Sequence, residues 1–236
     1  MVSDIDLYGA TVQVYNLNDE NLPVGSGSGL LVRVRNKKII LTVSHLLNGG
    51  GRIGVHLRHD ANGSTCFVPA DFGRLCMANL RTKAINDLDF LYFVLPQDVD
   101  VMRTSVIPIE GKQQIPNVEF EEDELDVEIQ STDHFSFTGV IQSQYISGPR
   151  NDVKYLSGTL QMHRELTLRS NDYPYIVFNL PYDNHPGHKW FRGCSGAPIL
   201  NQNGKPVALV CSGDTHANTL TGISLRALLP ALKVSV

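Results

Sequence analysis

The sequence predicts an all-β protein, two antiparallel β-barrels in series followed by a short C-terminal helix. Three observations carry that reading. Short runs alternate apolar and polar residues and are punctuated by turn signals. These runs fall into two sets, separated by a stretch of weak periodicity from Asp98 to about Glu124. The tail from Ser224 to Leu232 has helical spacing. The expected division is therefore residues 1–100 for the first barrel, 101–124 for a connector and 125–236 for the second barrel with the helix.

In the first set, Val12 and Val14 alternate with Thr11, Gln13 and Tyr15. Leu30, Val32 and Val34 fall on one face of the next strand, with Arg33 and Arg35 on the other. Asn36-Lys37-Lys38 is a polar turn before Ile39 to Val43, so the pair reads as a hairpin ending just before His45. Val55-His56-Leu57 and Phe67-Val68 flank Asn62-Gly63, a hairpin signal because both residues tolerate positive φ. Asp87 and Asp89 open the strongly apolar run that continues to Leu95. The acidic run Glu119 to Glu124 reads as solvated connector surface.

The second set starts near Leu125 and includes Phe135 to Ile141, Ile176 to Leu180, Val207 to Cys211 and Leu220 to Ile223. Closing each set into a barrel removes the open edges that invite aggregation. In the tail, Leu225, Leu228, Leu229 and Leu232 stand at i, i+3, i+4 and i+7, with Ser224 as N-cap. Pro230 predicts that this helix is short or kinked, since an interior proline removes a hydrogen bond.

Composition excludes several function classes. The 236 residues are ample for a buried core, and a net charge of −4 provides no general basic field for nucleic acid or an anionic membrane. No apolar run approaches the roughly 20 residues of a membrane span. The N-terminus lacks a basic segment followed by an apolar one, which predicts a cytoplasmic location. Cys66, Cys76, Cys194 and Cys211 permit three pairings, show no CxxC spacing and are expected as free thiols in that compartment.

The chemistry concentrates in three places. Gly193-Cys194-Ser195-Gly196-Ala197-Pro198 holds a serine between small, permissive residues. Such a turn lets a hydroxyl and neighbouring amide N–H groups face one point. His45 follows the first hairpin in Leu41-Thr42-Val43-Ser44-His45, and Asp89 begins the apolar strand Phe90 to Leu95. A nucleophile, a base and an orienting acid at strand ends are the parts of a serine hydrolase triad. Cys194 is a rival nucleophile, and Asp87 is a rival orienting acid because residues two apart in a strand point to the same side.

Gly-Ser-Gly-x-Leu, Thr-Val-Ser-His, Asp-Phe-Leu and Gly-x-Ser-Gly-x-Pro occur in that order, 44 residues separating His45 from Asp89 and 106 separating Asp89 from Ser195. In this order the chain resembles the trypsin-like (chymotrypsin-fold) serine peptidases, in the style of their compact bacterial and viral members. The resemblance implies two six-stranded-type antiparallel barrels with a C-terminal helix. It implies that Ser195 attacks a peptide carbonyl, His45 moves the proton, Asp89 orients the imidazole, and the Gly193 and Ser195 amides form the oxyanion hole. It also implies a pocket wall at Cys211, Ser212 and Gly213, with Lys189 near the floor, a protein or peptide as partner, and no cofactor. Cys194 stands where many secreted members carry an aspartate, so activation through an ion pair to a new N-terminus is not expected.

Two other readings stay open at this stage. His185 and His188, with Asp183 nearby, have a spacing that a metal could use, although no fourth ligand accompanies them. A peptide-binding module that kept the fold without catalysis is the alternative function.

Overall fold

The structure is a computed structural model and describes residues 2–47, 51–60, 63–79, 84–107, 111–147 and 154–236. A short helix, α1 (Asp4–Ala10), precedes the strands. It was not foreseen from the sequence. Ser3 caps it by accepting from the Asp6 N–H at 3.2 Å. The first sheet then runs β1 (Val12–Leu17), β2 (Pro23–Val34), β3 (Lys37–Thr42), β4 (Arg52–Asp60), β5 (Gly63–Phe67), β6 (Gly73–Asn79) and β7 (Ala84–Val94). Its order is β5-β4-β1-β2-β3-β7-β6, which makes β3 and β7 direct neighbours. The Asn62-Gly63 turn signal falls partly outside the described residues, although β4 and β5 do pair on either side of it.

The hairpin before His45 turns one residue earlier than its polar residues suggest. Val34 pairs with Lys37, so Arg35 and Asn36 make the turn, both at positive φ (46° and 64°). This is the two-residue hairpin geometry whose twist matches the strands. An arginine is strained there. Its N–H donates to Glu122 Oε2 at 3.0 Å, which helps hold the conformation.

The stretch 101–124 contains regular structure. β8 (Met102–Ile107) and β9 (Gly111–Pro116) form a hairpin, and β10 (Glu119–Glu121) pairs in parallel with β2. The acidic run is not bare solvated surface: Phe120 is buried, Glu119 pairs with Arg33, Glu124 with Lys205, and Glu122 with Lys233 at 3.2 Å. The Arg35 N–H holds the Glu122 carboxyl below the ordinary range, helped by Lys233.

The second half closes into a six-stranded barrel of β11 (His134–Ser147), β12 (Lys154–Asp172), β13 (Tyr175–Asn179), β14 (Pro198–Asn201), β15 (Pro206–Asp214) and β16 (Thr219–Ser224), in the order β11-β12-β13-β16-β15-β14. One apolar cluster fills this barrel, including Phe135, Phe137, Phe178 and Phe191. A second fills the first sheet around Val14, Ile40 and Phe93. A third joins the halves, packing Leu30, Leu41 and Phe90 with Leu200, Leu209 and Ile223. That shared core fixes the first sheet against the barrel, and the seam between them is where residues from both halves meet.

Helix α2 (Leu225–Ser235) covers the shared core and is short, as expected, running through Pro230. Leu225, Leu228, Leu229 and Leu232 are at most 6% exposed, each burial contributing about 1.5–3 kcal/mol. Together they outweigh the roughly 3 kcal/mol cost of an interior proline, which faces solvent. Ser224 Oγ accepts from the Ala227 N–H at 3.3 Å. Ser224→Ala is expected to lower the unfolding free energy by about 1 kcal/mol in urea denaturation, with no change in the denaturant slope.

Candidate active site

His45 stands on the single 3₁₀ turn Ser44–Leu47 that follows β3. Asp89 lies in β7, the strand paired with β3 through Thr42 and Leu91. The distinction between Asp87 and Asp89 is made by a β-bulge. Arg74 pairs with Leu91 and Cys76 with Asp87, so Leu88, Asp89 and Phe90 stand opposite Leu75 alone. A bulge bends the strand and re-aims a side chain. Asp87 stays in the ladder, exposed, and accepts from Cys76 Sγ at 3.0 Å. Asp89 turns to the histidine.

Asp89 Oδ2 is 2.7 Å from His45 Nδ1, while Oδ1 accepts from the His45 N–H and the Ser44 hydroxyl, both at 3.0 Å. Burial pushes the Asp89 carboxyl up, but the bonds and charge of His45 and the Ser44 bond outweigh it and hold the carboxyl below its ordinary range. An ionised Asp89 accepts a hydrogen bond from Nδ1–H and so keeps the ring proton on Nδ1. Nε2 is then left as an acceptor, and Ser195 Oγ lies 2.8 Å from it. The three side chains form one continuous hydrogen-bonded chain, with His45 and Asp89 from the first sheet and Ser195 from the second barrel.

Ser195 is presented by the turn between Phe191 and Pro198. Gly193 and Gly196 adopt φ of +103° and +83°. A Cβ at Gly193 would overlap the Val140 carbonyl, and one at Gly196 would overlap the Ser28 carbonyl and the Thr42 hydroxyl. Only glycine satisfies both the dihedral and the space. The turn is stitched to the first sheet: Ser28 N–H donates to the Ser195 carbonyl at 2.8 Å, Ser28 Oγ donates to the Gly193 carbonyl at 3.0 Å, and Thr42 Oγ1 donates to the Ser28 carbonyl at 2.6 Å. Among the described residues, no acceptor is bonded to the Gly193 or Ser195 N–H.

Cys194 points the other way. It has no exposed surface, belongs to the barrel core, and burial pushes its thiol up to about 12. A neutral, enclosed thiol is a poor nucleophile. Cys211 is half-buried near Asp89, and its thiol is raised by burial and then by that carboxylate. All four cysteines are free.

Ser212 and Gly213 are exposed on β15, and Lys189 is exposed on the 3₁₀ turn His188–Trp190. A Cβ on Gly213 would lie 3.5 Å from the Thr219 carbonyl and 3.9 Å from His185 Nε2. His185 Nδ1 accepts from the Gly187 N–H at 3.0 Å, and His188 is exposed. Among the described residues no group of three or more His, Cys, Asp or Glu could hold a metal, and no helix is long and apolar enough to cross a membrane.

Sequence reading assigned no role to Ser28, Ser44, Thr42 or Tyr175. Burial pushes the Tyr175 hydroxyl up and the nearby Asp89 backbone N–H opposes it, so this tyrosine of the barrel stands beside the bulge. Ser44 stands directly before His45, and that adjacency was a usable signal. Nothing local marks the others, because their partners are far away in sequence.

His163 was also passed over. It has no exposed surface, and burial pushes its imidazole down to about 4, against a smaller opposing effect of the Trp190 carbonyl. The unfolded chain takes up this proton near 6.5 and the folded one only near 4, so acidification through that window favours unfolding. The histidine's contribution is complete above the upper value and is lost as pH falls toward the lower. Between about pH 7 and about pH 4.5 the unfolding free energy should fall by roughly 2 kcal/mol more in the wild type than in His163→Phe. Urea midpoints at the two pH values check this.

Comparison with known proteins gives a likeness of shape without likeness of sequence. No protein-family model and no curated protein sequence matches the chain. Among solved structures, the protease domain of MamO from Magnetospirillum magneticum superposes with a TM-score of 0.52 at 12% identity, covering 96% of this chain and 97% of that one. Human heparin binding protein gives 0.56 at 10% identity, covering 99% and 94%. The Rv3671c protease in an inactive form gives 0.50 at 12%, covering 98% and 91%. With its strand-built halves, closed six-stranded barrel and C-terminal helix, the chain therefore has the trypsin-like, chymotrypsin-type all-β fold.

Proposed function

We propose that this protein is a serine endopeptidase that hydrolyses peptide bonds through an acyl-enzyme intermediate. The observation that supports it is the chain from Asp89 Oδ2 through His45 to Ser195 Oγ, with links of 2.7 and 2.8 Å. Ser195 Oγ attacks the carbonyl carbon of the scissile bond while its proton passes to His45 Nε2. The carbonyl oxygen, now negative, is met by the Gly193 and Ser195 N–H groups. Breakdown of this adduct sends the His45 proton to the leaving amine and leaves the ester on Ser195. Water then attacks that ester, again with His45 as base, and the acid product leaves. Asp89 keeps the proton on Nδ1 throughout and stabilises the imidazolium, without becoming protonated itself.

On this reading residues 1–100 carry the base and its orienting acid, 125–236 carry the nucleophile, and 101–124 link them. The partner is a protein or peptide, and no cofactor is needed. The four free thiols favour a reducing compartment, the cytoplasm. The test is direct: a fluorophosphonate should add covalently to Ser195, seen as a mass increase mapped to the 193–198 peptide. Unmodified protein under conditions that label trypsin would reject the proposal and favour a non-catalytic binding module.

A further inference from the structure

Ser28 of β2 meets the nucleophile turn with both its backbone and its side chain. Its N–H donates to the Ser195 carbonyl at 2.8 Å, and its hydroxyl donates to the Gly193 carbonyl at 3.0 Å. Its own carbonyl accepts from Thr42 Oγ1 at 2.6 Å, at the end of β3 and three residues before His45. Ser28 is 1% exposed and Thr42 is fully enclosed, so water does not compete for these bonds. One residue of the first sheet thus holds the two carbonyls that flank the Cys194–Ser195 peptide.

A trans peptide is planar, with its C=O and N–H on opposite sides, so a bond to either group orients both. The Gly193–Cys194 plane is held at both ends, its carbonyl by Ser28 Oγ and its N–H by the Phe191 carbonyl at 2.9 Å. The Ser195–Gly196 plane is held in the same way, by the Ser28 N–H and by the Val210 carbonyl, each at 2.8 Å. Between them the Cys194 carbonyl accepts from the Ala197 N–H at 2.8 Å, which turns the Ser195 N–H to the opposite side. The amide that carries the Gly193 N–H is joined to the plane that Ser28 Oγ holds through a glycine at φ +103°. Glycine passes readily between conformations, so the backbone alone does not fix the tilt of that amide. The Ser28 hydroxyl supplies the missing constraint, because the Gly193 carbonyl is its one partner among the described residues. Turning that carbonyl away would leave a buried donor and a buried acceptor unmade, which is costly.

We propose that Ser28 is a positioning residue for oxyanion stabilisation. Its hydroxyl, reaching across the seam from the first sheet, holds the Gly193–Cys194 peptide so that the Gly193 and Ser195 N–H groups face the carbonyl oxygen of the scissile bond. This rests on the peptidase reading above. Donors aimed in advance at the site of developing charge cost no reorganisation during the reaction, so the clamp acts on the chemical step and not on ground-state binding.

The test uses the full chain and a fluorophosphonate, whose phosphoryl oxygen takes the place of the carbonyl oxygen. Ser195 Oγ forms the P–O bond, its proton passes to His45 and fluoride leaves. Labelling of the wild type first establishes the reactive serine, and failure to label overturns the clamp together with the peptidase reading. In Ser28→Ala the maximal inactivation rate, kinact, is expected to fall by on the order of 10- to 100-fold, with KI within about twofold of the wild type. His45 is held by Asp89 and not by Ser28, so the pH midpoint of the rate should stay within about half a unit while the plateau drops. Ser28→Thr keeps the hydroxyl and should react within about threefold of the wild type. A folded Ser28→Ala that labels at the wild-type rate, loses its rate through KI or shifts the pH midpoint overturns the clamp alone. So does a Ser28→Thr as slow as Ser28→Ala. If circular dichroism shows Ser28→Ala unfolded, Ser28→Cys, whose thiol is a weak donor, is judged on the same readings.

Discussion

Ser195→Ala is expected to lower kcat for peptide or ester hydrolysis by on the order of 10⁶ while leaving the fold intact. The side chain is half-buried, and its Oγ has one described partner, His45 Nε2 at 2.8 Å. Removing the oxygen therefore leaves no core cavity and costs little stability, while the reaction loses the atom that forms the acyl bond. Residual turnover would come from the backbone amides of the oxyanion hole alone, since these donors do not depend on the serine side chain. The sister substitution Cys194→Ala separates the two candidate nucleophiles. Its thiol is enclosed in the barrel core and pushed up to about 12, so its loss should reduce stability but spare most of the activity. Initial rates on a chromogenic ester, normalised to folded protein, give both numbers. Wild-type activity in Ser195→Ala would refute the serine mechanism, and an inactive but folded Cys194→Ala would return the thiol to consideration.

The second large effect belongs to Asp89→Asn, expected to reduce kcat by up to about 10⁴ near neutral pH. Oδ1 can be kept, because the amide oxygen still accepts from the His45 N–H and from Ser44 Oγ, each 3.0 Å away. The amide nitrogen then replaces Oδ2 at 2.7 Å from Nδ1 and brings a donor to a position that needs an acceptor. The imidazole answers by moving its proton to Nε2. In that tautomer Nε2 cannot take the Ser195 proton. Asp87→Asn is the control, since Asp87 is exposed and accepts from the Cys76 thiol. It should change kcat less than about twofold. Equal losses in both variants would mean that the substitutions act through the β7 strand and not through the histidine.

Much of this was legible in the residues. The hairpin leading to His45 and the glycine-flanked serine are local patterns, and each lies on the element its pattern implied; Asp89, read as a strand start, instead lies inside β7, which begins at Ala84. Local physics suffices there, because side-chain alternation and the positive φ of Gly193 and Gly196 do not depend on distant partners. The turn at Arg35-Asn36 was misplaced by one residue because polarity marks a turn without fixing its register, which the Val34–Lys37 pairing sets. The C-terminal helix is short, as its residues implied, and the four leucines buried beneath it carry it through Pro230.

By itself, then, the sequence pointed to the β-rich class, to two sets of strands and to Ser195, His45 and Asp89 as the candidate nucleophile, base and acid. It favoured Asp89 and kept Asp87 as a rival, since both lie on the same side of an ideal strand. The tertiary structure separated them through a bulge that exists only because β6 pairs with β7 in a shifted register. It likewise withdrew Cys194 into the core, set His185 against Gly213 and enclosed His163 between two phenylalanines. Each of those outcomes depends on which distant groups share a volume. Burial and hydrogen bonding act across space, and a residue's chemistry follows its neighbours there and not its neighbours along the chain.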